Sequence, residues 1–118
     1  MSRSDVDYLR DIIQELDDII AFTQEADEKA FVADIRTQKA VIRSYEVIGE
    51  ICKRLPSALR TNNAQIDWRR LITFRDFLAH NYDVIAVRYI WDAVQDVPAL
   101  RAAVEAMLAS LPEDEQDE

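Results

Sequence analysis

An all-α bundle is the fold this sequence predicts, and three observations predict it. Apolar residues recur at alternating intervals of three and four along most of the chain, the rhythm that lays one stripe down an α-helix. Gly occurs once and Pro three times in 118 residues, while 49% of the residues are apolar, so helix formers dominate and turn formers are scarce. No run alternates apolar and polar residues as a half-buried strand does. A chain of this length makes one domain able to bury roughly two thirds of its unfolded surface. That domain is expected over residues 1–112, with residues 113–118, all Glu, Asp and Gln, as a disordered acidic tail.

The elements follow in order. Ser4 is placed to cap a first helix whose stripe is Val6, Leu9, Ile13, Leu16 and Ile20, broadened by Ile12 and Ile19. Its other face carries Asp5, Asp7, Asp11, Glu15, Asp17 and Asp18 and reads as solvated. After a break near 23–27, one longer helix is expected with Phe31, Ile35, Gln38, Val41, Tyr45, Ile48, Cys52 and Leu55 inward, ended by Pro56. Gly49 lies inside it, where Gly costs about 1 kcal/mol relative to Ala, and so points to close approach by another helix. Residues 56–66 read as a loop. Asp67 caps a third helix from Trp68 toward His80, and a fourth begins near Val84 with Val84, Val87, Ile90, Trp91 and Val94 inward. Asp96 then caps a fifth, with Pro98 in its first turn and Val97, Leu100, Val104, Met107, Leu108 and Leu111 inward, as far as Pro112. The architecture is an up-down bundle of four or five helices.

Composition also excludes. A formal charge of −9 argues against coating nucleic acid by bulk electrostatics, so any RNA contact must be local. Cys52 has no second cysteine to pair with and is read as packing. One His, one Cys and one Gly cannot supply a metal cluster, a catalytic triad or a glycine-rich phosphate loop, so no metal or cofactor is expected. The chain shows no leader and no apolar run of membrane length; a soluble, cytoplasmic protein without membrane contact is the expectation.

The informative stretch is Arg75-Asp76-Phe77-Leu78-Ala79-His80-Asn81-Tyr82-Asp83, which holds the one histidine. Trp68, Leu71, Ile72, Arg75, Leu78 and Ala79 share a helical stripe, so Arg75 sits among apolar residues, where a guanidinium calls for a partner. Arg69, Thr73, Asp76 and His80 fall on the other side. On a regular helix Arg75 and His80 diverge by roughly 140°. They serve one ligand only if the helix ends near His80 or a second subunit supplies its own copies.

These residues come with others in register. Val41-Ile42-Arg43, Glu46-Val47-Ile48-Gly49-Glu50, Lys53-Arg54-Leu55-Pro56, Ile66-Asp67-Trp68-Arg69, Arg75-Asp76 to His80-Asn81-Tyr82, and Trp91 with Val97-Pro98-Ala99-Leu100 together resemble the HepT-like ribonucleases of the HEPN superfamily over about residues 5–110. Asn81 and Asp83-Val84 stand where that family often has Gly and Phe-Gly. The resemblance implies a homodimeric bundle acting as the toxin of a toxin–antitoxin pair, a metal-independent endoribonuclease with Arg75 and His80 as its catalytic pair. It also implies Asp76 as the polar residue beside the arginine. The implied partner is a minimal nucleotidyltransferase antitoxin that transfers AMP to Tyr82.

The chemistry is consistent with those roles. Metal-free RNA cleavage uses the adjacent 2′-hydroxyl as nucleophile, and so needs proton transfer and a cation for the developing charge on phosphorus. An imidazole, titrating near about 6.5, moves protons, and a guanidinium holds two phosphate oxygens at once. Asp76 either accepts a hydrogen bond from His80 or balances charge on the helix. Tyr82 is either a packing residue or the modification site, and Arg69, Arg70 and Arg88 are either surface residues or RNA contacts. The competing function is a catalytically silent dimer that binds a nucleotidyltransferase and presents substrate to it.

Overall fold

The computed structural model describes residues 4–80 and 84–112, apart from the side chains at 79, 80, 84 and 85. The expected tail at 113–118 and Tyr82 lie outside the described residues. Within them the chain is helical: α1 Asp5–Thr23, α2 Glu28–Ala33, α3 Ile35–Arg54, α4 Ser57–Thr61, α5 Trp68–His80, α6 Val84–Gln95 and α7 Val97–Ser110. No strand occurs among the described residues. None of the described helices is long and apolar enough to cross a membrane.

Ser4 starts α1 with a capping box: its hydroxyl accepts from the Asp7 amide at 3.1 Å, and its own amide donates to the Asp7 carboxylate at 3.4 Å. The inward stripe is rotated slightly from expectation. Ile12 and Ile19 are buried, whereas Ile13 and Ile20 are only half-buried against the core. The reason is that α1 is flanked by both α3 and α7, so the middle of a broad apolar face, not its edge, lies deepest.

The single long helix expected over 31–55 is two. Asp34 adopts extended backbone (φ −114°, ψ 92°), ends α2 and caps α3, its carboxylate accepting from the Thr37 amide at 3.2 Å and hydroxyl at 2.7 Å. Gln38 enters the core because the break leaves α2 carbonyls open. Its side-chain amide donates to the carbonyls of Phe31 and Val32, both at 2.9 Å. The break also resets the helical phase, which is why Ile35, expected inward, is 64% exposed. Residues 56–66, expected as a loop, contain the short α4.

The core joins Leu9, Leu16 and Ile19 of α1, Phe31 of α2, Val41, Ile48 and Cys52 of α3, Leu78 of α5, Ile90 of α6, and Val104 and Met107 of α7. Cys52 packs as expected, and burial pushes its thiol up to about 12, leaving it unionised. The central pairings are α3 with α5 and α1 with α3, while α7 closes the far side of α1 and α2 packs on α6 through Phe31 and Trp91, 5.3 Å apart. Asp67 caps α5 by accepting from the Arg70 amide at 2.9 Å. Asp96 stands at the N-cap of α7 but makes no capping bond; its backbone is already helical (φ −88°, ψ −8°), and its carboxylate lies 3.9 Å from Arg70.

Candidate active site

Two helices build the site. α5 carries Arg75, Asp76 and His80, and α3 crosses it with Gly49 facing Arg75. The crossing is close: a Cβ placed on Gly49 would lie 2.5 Å from the Arg75 Cβ, 3.0 Å from its Cγ and 3.2 Å from the Leu71 carbonyl oxygen. The inner half of the Arg75 side chain is therefore pressed against α3 backbone. This accounts for an arginine on an apolar stripe: the methylenes occupy the seam and the charged head leaves it.

That head is not free. Nη2 lies 3.3 Å from a carboxylate oxygen of Glu50, and Nη1 donates to Asp76 at 3.1 Å. Asp76 is shared with Lys53, whose ammonium is 3.8 Å away, and Glu50 with Arg54, also at 3.8 Å. The guanidinium, with its side chain 35% exposed, thus sits in a chain of alternating charges that continues onto a groove between α1, α3 and α5. The groove, about 360 Å³, is walled by Tyr8, Asp11, Arg43, Glu46, Glu50, Arg54 and Arg75 among others. Its cations and carboxylates nearly balance, so what it offers an anion is local donor geometry, not a strong field.

The remaining candidates are placed as follows. His80 stands at the C-terminal bound of α5 as described; its imidazole lies outside the described side chains, and the Asp76–His80 hydrogen bond with it. Asp76 and Arg75 are brought together. Arg69 and Arg70 are exposed on another side of α5, Arg70 rotated about 140° from Arg75. Arg88 is exposed on α6. Around Arg70 the surface is aromatic: Phe74 and Phe77 stack at 6.3 Å, and Phe77 meets Tyr89 edge-on at 6.1 Å. Tyr89 is 58% exposed.

Sequence reasoning missed Glu50 as the partner of Arg75. The signal was present, since Gly49 marks the helix crossing and Glu50 is the next residue. It also missed Tyr45 as a polar group. The Tyr45 hydroxyl is buried without a hydrogen-bond partner among the described residues, beside a cavity of about 300 Å³ lined by Ile66, Leu71, Phe74 and Leu100. Burial raises its pKa, so it stays protonated. Among the described residues no group of three or more His, Cys, Asp or Glu side chains is arranged to hold a metal.

Comparison with known proteins agrees over most of the chain. The family model described as ribonuclease HepT-like matches residues 12–107. A protein of Thermococcus cleftensis described as a probable ribonuclease HepT is 39% identical over 108 residues, covering 91% of this chain and 98% of its own. A Methanocaldococcus jannaschii protein described as an RNase is 44% identical over 87 residues, covering 74% of this chain and 72% of its own. Another RNase-described protein, from Caldanaerobacter subterraneus, is 32% identical over 102 residues, 86% of this chain and 91% of its own. No solved structure matches the chain.

Proposed function

The chain belongs to the HepT-like ribonuclease family, and from that premise we propose that it is a metal-independent endoribonuclease acting as the toxin of a toxin–antitoxin pair. The observation that carries the reading is the guanidinium of Arg75, brought out of the α3–α5 seam into a groove, five residues before His80 in the sequence. A planar fork of N–H donors there matches two phosphate oxygens.

In the proposed reaction a 2′-hydroxyl gives its proton to one His80 imidazole and its oxygen attacks the adjacent phosphorus. The P–O5′ bond breaks, the 5′-oxygen takes a proton from the His80 of a second copy, and a 2′,3′-cyclic phosphate remains. Arg75 holds the non-bridging oxygens as charge builds on them. Positions 75 and 80 are about 140° apart on a regular helix, so a homodimer is proposed to supply the second half of each site. The exposed Tyr89 with Phe77, one turn before His80, is the apolar surface proposed to meet the second copy. Arg69, Arg70 and Arg88 are exposed and available to RNA backbone.

Silencing is proposed to come from a nucleotidyltransferase that transfers AMP to Tyr82. The added phosphodiester, close in sequence to His80, would place a negative charge beside the arginine and exclude the substrate phosphate. Incubation with such an enzyme and ATP should raise the intact mass by whole AMP units, and Tyr82→Phe should abolish the increase.

A second reading, a silent bundle that only binds the nucleotidyltransferase, draws on the net charge of −9 and on the two carboxylates already holding Arg75. One experiment separates the two. The chain alone should cut RNA in EDTA and leave cyclic phosphate ends, and His80→Ala should not. Equal cleavage by both proteins would remove His80 from the site, and no cleavage by either would favour the silent bundle.

A further inference from the structure

We propose that Glu50 is a positioning residue for Arg75: Gly49 and Glu50, consecutive on α3, form a seat that presents the guanidinium to a phosphate. The inference rests on the ribonuclease reading above for its catalytic consequence, but the seat itself is a structural claim that can be tested without activity.

The two residues act on different parts of one side chain. Gly49, having no Cβ, lets the Arg75 Cβ and Cγ come to distances that any other residue would obstruct. One position further round α3, a Glu50 oxygen meets Nη2 at 3.3 Å. Asp76 takes Nη1 at 3.1 Å, but it is the next residue on α5 and travels with Arg75. Glu50 is the contact that fixes the guanidinium relative to a second helix. It is itself steadied by Arg54, one turn on at 3.8 Å. A guanidinium has five N–H donors; Asp76 takes one by hydrogen bond while Glu50 holds Nη2 as an ion pair, so several remain for a phosphate. An arginine already held in place loses less rotamer freedom when a phosphate arrives, and the reacting group is better aligned.

Glu50 and Arg75 are both partly exposed, with side chains 41% and 35% accessible, so their pairing contributes little to folding. A substitution at 50 should therefore leave the fold intact, which makes the test clean. The alternative role has the opposite sign: a carboxylate that competes with phosphate would raise activity when removed.

The experiment compares wild type, Glu50→Ala and Glu50→Gln, first confirming equal melting temperatures. It reads kcat and KM on a short RNA in EDTA, and the arginine side-chain ¹⁵N resonances of Arg75, assigned by their loss in Arg75→Ala. Glu50→Ala should lower kcat by about ten- to a hundredfold with little change in KM, and should free rotation of the Arg75 guanidinium. Glu50→Gln, whose amide oxygen occupies the place of the carboxylate oxygen 3.3 Å from Nη2 and can accept from it, should recover most of both losses. A fall in KM with a rise in kcat/KM in Glu50→Ala would overturn positioning in favour of competition. Unchanged kinetics with an unchanged Arg75 signal would overturn it outright. If wild type cuts no RNA, the ribonuclease reading fails; guanidinium rotation freed in Glu50→Ala and restored in Glu50→Gln would still support the seat, and rotation unaffected would reject it.

Discussion

Replacing Arg75 by alanine is expected to slow RNA cleavage by about 10²–10³-fold, the usual loss when one preorganised donor to a developing oxyanion is removed. The fold should survive. The guanidinium is at the mouth of the groove, and its ion pairs with Glu50 and Asp76 are partly exposed. Alanine keeps the Cβ that packs on Gly49. Lysine is the sharper probe. It preserves the charge but offers a single ammonium in place of a planar fork, and it reaches Glu50 and Asp76 less well together. Arg75→Lys should therefore remain at least about tenfold below wild type, since bidentate geometry and not charge alone is what the site uses. Single-turnover rates on one RNA, with melting curves for each variant, would check this. A lysine variant as fast as wild type would mean that Arg75 supplies only bulk positive charge.

The second large effect is expected at Gly49. By helix propensity alone, Gly49→Ala should stabilise α3 by about 1 kcal/mol, and the backbone is no obstacle because no residue described has positive φ. Packing decides otherwise. The new methyl would meet the Arg75 Cβ at 2.5 Å and the Leu71 carbonyl oxygen at 3.2 Å. Both belong to or adjoin the α5 backbone, so no flexible side chain can swing clear. α3 and α5 must separate along one of the two central helix pairings of the described residues. Overpacking of this kind costs about 1–3 kcal/mol, and rigid contacts place it at the upper end. A net loss near 2 kcal/mol should appear as a melting temperature lower by about 8 °C. Activity should fall as well, because the same shift carries Arg75 away from Glu50. A melting temperature that rises instead would show that the helices part easily and that propensity wins.

How much of this could be read before the structure differs by residue. The stripes of α1, α3 and α7 were legible because each lies on one helix with a regular period, and Gly49 was legible because glycine is costly inside a helix without a reason. The break at Asp34 was not, because Asp34 and Gln38 close it through bonds to Thr37, Phe31 and Val32 that no periodicity reports. Ile35 was misplaced for the same reason. α4 escaped notice because a five-residue helix has too few turns to show a period.

Sequence by itself determined that this chain is all-α, and it singled out Arg75 and His80 on one helix, since helical content and family likeness are both carried by local pattern. Tertiary structure alone decided what Arg75 faces. The guanidinium meets a carboxylate from 25 residues earlier because two helices cross at the one glycine, and a contact between segments distant in the chain leaves no trace in the period of either.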